Sequence, residues 1–593
     1  MRNDTLRGFS ARTLEDGSRI IASEEPLRPF PATVCADLVG WNRRQPDAVF
    51  LAERRGDTWL RLTYGDALDR VRSIGAGLLF SGASREKPLG VISDNSIDHA
   101  LVALAAMYVG IPVSPISIGY AAPESTPERL RDMLEALGPG LFFAGNAAIA
   151  ARIVAAREGI RVVTDLRELS GDATLADDAF SHVDADTIAK IMFTSGSTGV
   201  PKGVITTNRM LSANQAMLAA VWPEVTDAMP SAVDWLPWSH CFGGNHNLGI
   251  ILRSGGTLYI DDGRPAQGAF EATLRNLTEF PPTVFFSVPR GMLLLVEALR
   301  TDHAFASTFF SKLRLICNAG ASLPNAIRQE IIALSKRYGT GDVRVTSSWG
   351  TTETAPMATT SWGANEPDPD TIGTPVPGVE IKFAPSDGRA ELRVRGPNVT
   401  PGYWRDPAAT RNAFDADGFY KTGDAGQLKD DADPSRGIVF GGRLAENFKL
   451  SSGTWVNVGA LRLSLLEHGA PLIEDVVVAG HDRAEISVLI FVSRAHAAKH
   501  AGTPQAEHAE LARHEKVREF IADALGDHNT SAPASSTRVA RALILTEAPR
   551  RNAGEVTDKG TINQRRALEL RSASVQKLHA DDPGNEVWCS PSP

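Results

Sequence analysis

A ten-residue run rich in glycine and hydroxyl side chains, TSGSTGVPKG, most constrains how this chain can fold and what it can bind. It spans residues 194–203 and directly follows IAKIMF (188–193), which we predict to be a buried strand. Its glycines let the backbone approach a ligand, its hydroxyls and amides can donate hydrogen bonds, and Lys202 adds a positive charge. The run predicts a polyphosphate-binding loop, although a flexible surface turn is the alternative for such a loop taken alone.

The loop does not follow the Walker A pattern, in which Gly precedes the lysine and Ser or Thr follows it at the start of a helix. Here Pro201 precedes Lys202, Gly203 follows it, and the next residues, Val204 and Ile205, predict a strand. A P-loop nucleotide hydrolase is therefore the wrong class of phosphate-binding protein.

Apolar runs alternate with helical patterns in two stretches, from about 35 to 185 and from about 230 to 360. This alternation predicts βαβ units and mostly parallel sheets. Short β runs between glycines and prolines at 372–440 predict a small β subdomain. The expected fold class is α/β: a large N-terminal domain of mixed, mostly parallel sheets with flanking helices and that subdomain, followed by a small, mobile α+β C-terminal domain.

The glycines at 441 and 442 mark the expected boundary between these domains. We predict an N-terminal extension at 1–30, the main domain at 31–442, the C-terminal domain at 443–574 and a flexible tail at 575–593.

Composition restricts the class of protein. The 593 residues carry a formal net charge of −9, with 43% hydrophobic and 22% charged residues, which is ordinary for a globular enzyme and excludes a basic nucleic-acid-binding surface. The four cysteines form no CxxC pair, which argues against a zinc site or a disulfide framework and is typical of the reducing cytoplasm. The N-terminus lacks the apolar segment of a secretory signal, and the most apolar stretch, 100–113, is too short to span a membrane.

Further motifs follow the loop in a fixed order. These segments are WLPWSHCFG (235–243), NAGAS (318–322), SWGTTE (348–353), ELRVRGPNVTPGY (391–403), YKTGD (420–424) and the Gly-Arg pair at 442–443. Taken together with the loop, they resemble the adenylate-forming, AMP-binding superfamily, which includes acyl-CoA synthetases, nonribosomal adenylation domains and luciferases. Each later motif is weak alone, and their order makes the resemblance specific.

The resemblance implies ATP, Mg²⁺ and coenzyme A as cofactors, a small carboxylic acid as substrate, and neither a nucleic-acid nor a membrane partner. Trp349 would stack on adenine, and Asp424 would accept hydrogen bonds from both ribose hydroxyls. The residues implied to bind the nucleotide and coenzyme A are Thr194, Ser195, Gly196, Ser197, Thr198, Gly199, Lys202, Gly320, Ala321, Ser322, Trp349, Gly350, Thr351, Thr352, Asp424, Arg443, Lys449 and Gly453.

Catalytic roles implied by the resemblance fall to Lys559, Lys202, Thr352 and His240. Glu353 and Thr198 are the implied ligands of Mg²⁺, which prefers hard oxygen ligands. The expected acid pocket consists of His240, Phe242, Phe286, Pro289, Gly320 and Trp349, although its aromatic residues could equally belong to the core.

Three positions depart from the common family pattern. The interdomain hinge residue, usually Asp or Lys, is Ala445. The segment at 448–456 is one residue longer than usual, and the glycine that normally precedes the catalytic lysine, Gly554, is followed by Glu555. Lys559 is the nearest lysine, and a solvated lysine in a polar loop is its alternative interpretation.

These departures resemble one subgroup, the bacterial feruloyl-CoA synthetases. The stretches that carry this resemblance lie at 235–247, 255–263, 376–380, 398–405, 445–459 and 554–565. The function implied is an ATP-dependent hydroxycinnamic acid:CoA ligase, with feruloyl-CoA as its expected product. A CoA ligase for another aryl or fatty acid is the alternative. A carrier-loading module and a non-catalytic nucleotide-binding relative are further alternatives. Lys202, Glu353, Asp424 and Arg443 are all present, which argues against a degenerate relative.

Overall fold

The computed structural model describes residues 8–123, 125–194, 201–266, 268–339, 343–361, 368–386, 388–550, 553–556 and 562–590. The sequence predictions for 195–199 and for Lys559 lie outside these residues.

Capped helices alternate with strands along most of the chain. For example, the side chains of Thr63, Ser96 and Asn146 each accept a hydrogen bond from a first-turn amide and so begin a helix.

The strands are β1 (Phe9–Thr13), β2 (Arg19–Ser23), β3 (Val49–Arg55), β4 (Thr58–Thr63), β5 (Leu89–Ile92), β6 (Val113–Ile116), β7 (Leu141–Ala144), β8 (Val162–Val163), β9 (Ile188–Thr194), β10 (Lys202–Thr207), β11 (Ser231–Asp234), β12 (Thr257–Ile260), β13 (Val284–Ser287), β14 (Leu315–Asn318), β15 (Arg344–Gly350), β16 (Met357–Thr360), β17 (Thr374–Pro375), β18 (Glu380–Ser386), β19 (Arg389–Arg395), β20 (Tyr420–Leu428), β21 (Ile438–Arg443), β22 (Phe448–Lys449), β23 (Trp455–Val456), β24 (Ile473–Ala479), β25 (Ile486–Val492), β26 (Val539–Ile544) and β27 (Val587–Cys589).

The α-helices are α1 (Cys35–Arg44), α2 (Tyr64–Leu78), α3 (Ile97–Tyr108), α4 (Pro127–Leu137), α5 (Ala147–Ala156), α6 (Ala173–Ser181), α7 (Asn208–Val221), α8 (Pro223–Thr226), α9 (Leu248–Ser254), α10 (Phe270–Glu279), α11 (Pro289–Thr301), α12 (His303–Phe310), α13 (Asn325–Tyr338), α14 (Pro407–Ala413), α15 (Val458–His468), α16 (Arg494–Ala501), α17 (His508–Leu511), α18 (Glu515–Ser531), α19 (Gln564–Leu570) and α20 (Ser572–Leu578). A π-helix at Phe242–Asn247 directly precedes α9. Within the described residues, no helix combines the length and the apolar character needed to cross a bilayer.

Parallel pairs outnumber antiparallel pairs in the three sheets built from β3 to β17, as the alternation of strands and helices predicted. One sheet has the order β10-β9-β6-β5-β7-β8 and is parallel except for the β9–β10 pair. Another has the order β13-β14-β15-β16-β17, in which the first three strands are parallel. A third has the order β11-β12-β3-β4, and only β3 and β4 run antiparallel.

The N-terminal extension predicted at 1–30 contains regular structure in its described part, residues 8–30. Strands β1 and β2 form a hairpin, and β2 pairs with β18 in a sheet of order β1-β2-β18-β19-β20-β21. Ile20 and Ile21 are buried in this sheet, and burying them offsets the entropy of ordering the polar residues around them.

The described residues divide into two compact units, at 1–385, 392–422 and 428–439 and at 386–391, 423–427 and 440–593. The second contains a sheet of order β24-β25-β26-β27 with apolar side chains on both faces. Its strand β27 contradicts the predicted flexible tail, because buried Val587 fixes this segment against β26. The predicted α/β class, a large domain followed by a smaller one, is confirmed.

Candidate active site

The carboxyl ends of three parallel strands bring several predicted site segments to one edge of a sheet. Ser287 at the end of β13 is in register with Asn318 of β14, which is in register with Ser347 of β15. Ligands of open α/β sheets bind at this kind of edge because the loops there leave the strands together. The predicted site residues on or after these strand ends are Pro289, Gly320, Ala321, Ser322, Trp349, Gly350, Thr351, Thr352 and Glu353.

A chain of three side chains links the phosphate loop to the end of β15. The Tyr403 hydroxyl donates a hydrogen bond to Glu353, with 3.0 Å between the two oxygens. Nζ of Lys202 lies 5.6 Å from the centre of the Tyr403 ring. Burial and the charge of Glu353 raise the pKa of Tyr403 and of Tyr420, so both phenols stay protonated. The two predicted charged groups, Lys202 and Glu353, therefore lie on either side of one tyrosine.

Lys202 is also held by the strand pair that borders the loop. It begins β10 and pairs with Thr194, the last residue of β9. The two strands are antiparallel, so the described residues that flank the predicted loop, Thr194 and Lys202, lie side by side. The predicted strand after the loop is confirmed, which supports the exclusion of a Walker A site, where a helix would begin.

A contact between Thr352 and Cys241 joins the end of β15 to the segment that carries His240. Oγ1 of Thr352 lies 3.6 Å from Sγ of Cys241, within hydrogen-bonding distance for sulfur. His240 precedes Cys241, and its carbonyl oxygen accepts a 2.8 Å hydrogen bond from the amide of Gly244. The predicted phosphate-side threonine and the predicted acid-side histidine therefore lie on adjoining segments.

The π-helix at 242–247 is set by two glycines and a buried lysine. A Cβ on Gly243 would lie 2.4 Å from the Leu236 carbonyl oxygen, and one on Gly244 would lie 2.3 Å from that of Trp238, so only glycine allows this close packing. Nζ of Lys190 donates to the carbonyl oxygen of Gly244 at 2.9 Å and to Oδ1 of Asn245 at 3.0 Å. Burial lowers the pKa of Lys190 to about 8. Such π-turns are frequent at functional sites.

Aromatic rings surround the side chain of His246 in this π-helix. Its ring centre lies 5.1 Å from that of Phe242, 5.4 Å from that of Phe286 and 5.7 Å from that of Trp222. Phe242 and Phe286 themselves pack edge to face at 6.2 Å. We call Phe242, Phe286, His246 and Trp222 the aromatic set. The two predicted pocket phenylalanines therefore lie together, with a histidine that the motif comparison did not single out.

Asp424 and Arg443 lie together in the second unit. Nε of Arg443 is 3.0 Å from Oδ1 of Asp424, whose side chain is only 3% exposed whereas that of Arg443 is 52% exposed. The amide of Leu444 donates to the carbonyl oxygen of Gly423 at 2.8 Å and fixes the two segments side by side. This pair combines a hydrogen-bond acceptor with an exposed cation.

The predicted hinge and coenzyme A segments are also in the second unit. Ala445 is exposed in a turn in which Asn447 donates from its backbone to the Arg443 carbonyl at 3.0 Å. The longer segment that follows is a hairpin in which Lys449 on β22 pairs with Trp455 on β23. Gly453 lies in the connecting turn, and Nζ of Lys449 is 4.8 Å from the centre of a Trp455 ring.

Two family models match this sequence. A model described as "AMP-binding enzyme" matches residues 39–404, and a model described as "AMP-binding enzyme C-terminal domain" matches residues 447–582. The first match alone covers more than half of the chain.

The chain belongs to the AMP-binding enzyme family.

Proteins similar to this chain are named as CoA ligases. The chain is 30% identical over 331 residues to "Probable CoA ligase CCL8" of Humulus lupulus, a match that covers 52% of each chain. It is 26% identical over 423 residues to "Malonate--CoA ligase" of Arabidopsis thaliana, covering 67% of this chain and 65% of that protein. The chain thus matches about half of the first relative's length and slightly less than two thirds of the second's.

The fold agrees with solved structures of AMP-binding enzymes. ATP-bound MatB from Rhodopseudomonas palustris superimposes with a TM-score of 0.68 at 20% identity, covering 92% of this chain and all (100%) of that chain. The adenylation domain of a carboxylate reductase from Mycobacterium chelonae gives a TM-score of 0.71 at 20% identity, covering 92% and 90%.

The sequence motifs did not indicate several residues of this AMP-binding enzyme that contact or orient the predicted site residues. Tyr403 ends the motif at 391–403 and was assigned no role in the site, yet its hydroxyl contacts Glu353. Lys190 did give a signal, because it is the one charged residue in the apolar run 188–193. Asn247 and Asp234 gave no signal in the sequence, since their hydrogen bond joins residues 13 positions apart in the chain.

The residues present suit a magnesium ion bound together with ATP. Mg²⁺ is usually held by one or two carboxylates and the substrate phosphates. Glu353 supplies one buried carboxylate with a phenol donor on Oε1. The described residues contain no group of three or more His, Cys, Asp and Glu side chains able to hold a metal by themselves. Glu353 therefore fits a metal ion whose remaining ligands include the phosphate oxygens of ATP.

Proposed function

We propose that this AMP-binding enzyme is an ATP-dependent CoA ligase for aromatic acids of the hydroxycinnamic type, feruloyl-CoA being its expected product. The single observation that carries the proposal is the contact between Thr352 and Cys241, 3.6 Å between Oγ1 and Sγ. It joins the segment expected to hold the α-phosphate to the segment that leads into the aromatic set. Acid activation needs this adjacency, since a carboxylate must meet the α-phosphorus.

In the first half-reaction, a carboxylate oxygen of the acid attacks the α-phosphorus of ATP, and the bond to the pyrophosphate oxygen breaks. The carboxylate is already a nucleophile, so the protein contributes mainly orientation and charge stabilisation. Lys202, Lys559 and Thr352 would share the negative charge on the phosphate oxygens, and His240 would orient the carboxylate. Mg²⁺, when bound, supplies further charge neutralisation, and Glu353 and Thr198 would hold it.

The nucleotide would be held by the remaining predicted residues. Trp349 offers a ring on which adenine can stack. Asp424 offers a carboxylate for the ribose hydroxyls, and Arg443 a cation beside it. The residues expected to contact the phosphates and the adenine edge are Thr194, Ser195, Gly196, Ser197, Thr198, Gly199, Gly320, Ala321, Ser322, Gly350 and Thr351.

In the second half-reaction, the thiol sulfur of coenzyme A attacks the acyl carbon, its proton passes to solvent, and AMP leaves with the bond electrons. Lys449 and Gly453 would contact the pantetheine arm, and a rotation about Ala445 would present them. These roles rest on the family resemblance, and the exposed turn at Ala445 is compatible with a hinge.

The aromatic set and several sequence stretches support a hydroxycinnamic acid as the substrate. Flat aromatic walls such as Phe242 and Phe286 suit a planar ring. The names of the relatives support CoA ligation, but they include malonate and long-chain fatty acid ligases, so they favour no single acid. The stretches that resemble those of feruloyl-CoA synthetases, among them 445–459 and 554–565, support the hydroxycinnamic choice.

The experiment is a thioester assay with ATP, Mg²⁺ and coenzyme A on ferulate, 4-hydroxycinnamate, caffeate, benzoate and a medium-chain fatty acid, with pyrophosphate and AMP measured in parallel. Thioesters of the hydroxycinnamates alone would support the proposal. A thioester of only another acid would keep the ligase chemistry and reject the hydroxycinnamic assignment. Nucleotide binding without pyrophosphate from any acid would favour the non-catalytic alternative.

A further inference from the structure

Among the described residues, two members of the aromatic set carry a buried polar atom without a hydrogen-bond partner, Nε1 of Trp222 and Nε2 of His246. The indole N–H of Trp222 can only donate, whereas Nε2 of an imidazole can accept. The side chain of His246 is 1% exposed and packs against the rings of Phe242, Phe286 and Trp222. It lies farther along the same helical segment that begins beside His240 and Cys241. A role for His246 in substrate selection rests on the proposed function, because it requires the acid to enter this set with its carboxylate near Thr352.

A hydrogen-bonded chain fixes which ring nitrogen of His246 carries the proton. Nδ2 of Asn247 donates to Oδ2 of Asp234 at 2.8 Å, while Oδ1 of Asp234 accepts from the Leu236 amide at 3.0 Å. The Asn247 amide is thereby oriented with its Oδ1 toward Nδ1 of His246, 2.9 Å away. Since an amide oxygen only accepts, Nδ1 must carry the proton and Nε2 presents a lone pair.

Nε2 of His246 is buried and has no hydrogen-bond partner among the described residues. Burial also lowers the pKa of His246 to about 4, so the ring is neutral near pH 7. A buried acceptor without a donor is unfavourable, and such atoms are rare in folded proteins. A ligand group that donates to Nε2 would remove that cost, whereas one that cannot donate would keep it.

We propose that Nε2 of His246 accepts a hydrogen bond from a hydroxyl on the ring of the acyl substrate, and that this contact selects aromatic acids with a phenolic hydroxyl. Phe242 and Phe286 would pack against the aromatic ring of the substrate, and Nε2 of His246 would accept a hydrogen bond from the hydroxyl on that ring. Asp234 and Asn247 act as positioning residues, because they reach the substrate only through the orientation of the imidazole.

A site built to bond a hydroxyl discriminates strongly against an analogue that lacks it, because the buried polar group is then left unpaired. We therefore expect kcat/KM to be roughly 10- to 100-fold higher for an acid with the hydroxyl than for its deoxy analogue. A methoxy group has no hydrogen to donate, so a methoxylated acid should be as poor as the deoxy acid.

The test measures kcat/KM for cinnamate, 3-hydroxycinnamate, 4-hydroxycinnamate and 4-methoxycinnamate with the full chain and with three variants. His246→Phe keeps an aromatic ring but removes the acceptor. His246→Gln keeps a carbonyl acceptor. His99→Phe is the matched control, since His99 is another buried histidine, with Nδ1 bonded to the Asp94 carbonyl and its ring packed against Trp238, which is not a member of the aromatic set.

We expect the wild-type protein and His99→Phe to prefer one hydroxycinnamate over both cinnamate and the methoxy acid at least tenfold. His246→Phe should turn over cinnamate and the preferred hydroxycinnamate at similar rates, and His246→Gln should retain part of the preference. Thioester formation without hydroxyl discrimination in the wild-type protein, or an unchanged preference in active His246→Phe, would overturn the inference and leave the proposed function standing. Absence of thioester from every acid in the wild-type protein would overturn both.

Discussion

The hydroxyl of Tyr403 donates a 3.0 Å hydrogen bond to Oε1 of Glu353, and the ring of the same tyrosine lies 5.6 Å from Nζ of Lys202. One side chain thus fixes the spacing between the cation and the carboxylate that the sequence motifs place 151 positions apart at 202 and 353. This arrangement gives Tyr403 a role that can be separated from that of Glu353.

Glu353→Gln should lower pyrophosphate release by about 100-fold and raise the Mg²⁺ concentration required for half-maximal rate, because a neutral amide is a poor ligand for a hard cation. Tyr403→Phe should lower the rate only about tenfold, since the carboxylate stays and loses one orienting donor. Steady-state assays at several Mg²⁺ concentrations measure both effects. Tyr338→Phe, which removes an exposed hydroxyl bonded to His303, is the control. Equal rates for Tyr403→Phe and wild type would exclude this role.

Asp424→Asn should raise the KM for ATP by about tenfold or more, because the carboxylate of Asp424 can accept from two ribose hydroxyls and an amide oxygen replaces it poorly. The difference between ATP and 2′-deoxy-ATP should shrink in this variant. Asp430→Asn is the matched control, since Asp430 forms an exposed ion pair with Arg436. An unchanged ratio between the two nucleotides would place the ribose elsewhere.

Lys559→Ala should abolish pyrophosphate release but leave thioester formation from supplied acyl-AMP and coenzyme A. The reason is that only the first half-reaction develops charge between the carboxylate and the α-phosphate. Lys577→Ala, which removes an exposed lysine paired with Glu586, controls for loss of a surface charge. Adenylation at the wild-type rate would remove Lys559 from the site.

The contribution of Lys190 to the stability of the protein should rise between pH 8 and pH 10.5. Burial lowers its pKa from 10.5 to about 8, so in this window the folded state has lost a proton that the unfolded state retains. Stability increases with pH wherever the unfolded state binds more protons, here by about 3 kcal/mol over the window. The neutral amine keeps two N–H donors for Gly244 and Asn245.

Lys190→Met should lack this contribution. Denaturant unfolding of both proteins from pH 7 to pH 10 therefore gives a stability difference that shifts toward the wild type as the pH rises. Parallel pH profiles for the two proteins would show that Lys190 has the same pKa in the folded and unfolded states and would contradict this prediction.

Arg571→Met should destabilise the second unit by about 3–5 kcal/mol, because it leaves the carboxylate of Glu555 buried without its cation. Nε and Nη2 of Arg571 each lie 2.9 Å from a Glu555 oxygen, and the side chains are 6% and 0% exposed. Glu555→Gln combined with Arg571→Met removes both charges and should recover much of the loss. Chemical denaturation monitored within the second unit measures this, and equal losses for the single and double variants would contradict it.

The glycine–hydroxyl loop, the motif order and the alternation of strands with helices determined the family and the α/β class from sequence alone. This succeeded because those signals are local: a buried strand followed by a loop, or Pro324 and Gly339 at the ends of a helix, is set by residues near one another in the chain. The segment between this proline and this glycine is the helix α13, Asn325–Tyr338.

Only the tertiary structure decided which distant side chains meet. The contacts of Tyr403 with Glu353, of Thr352 with Cys241 and of Asn247 with Asp234 depend on strand register and on the π-helix, neither of which a local pattern encodes. The same holds for the chain ends, where polar composition predicted irregular segments and β1, β2 and β27 are strands. These strands are stabilised by a few buried residues, Ile20, Ile21 and Val587, which pack against apolar residues distant in the sequence.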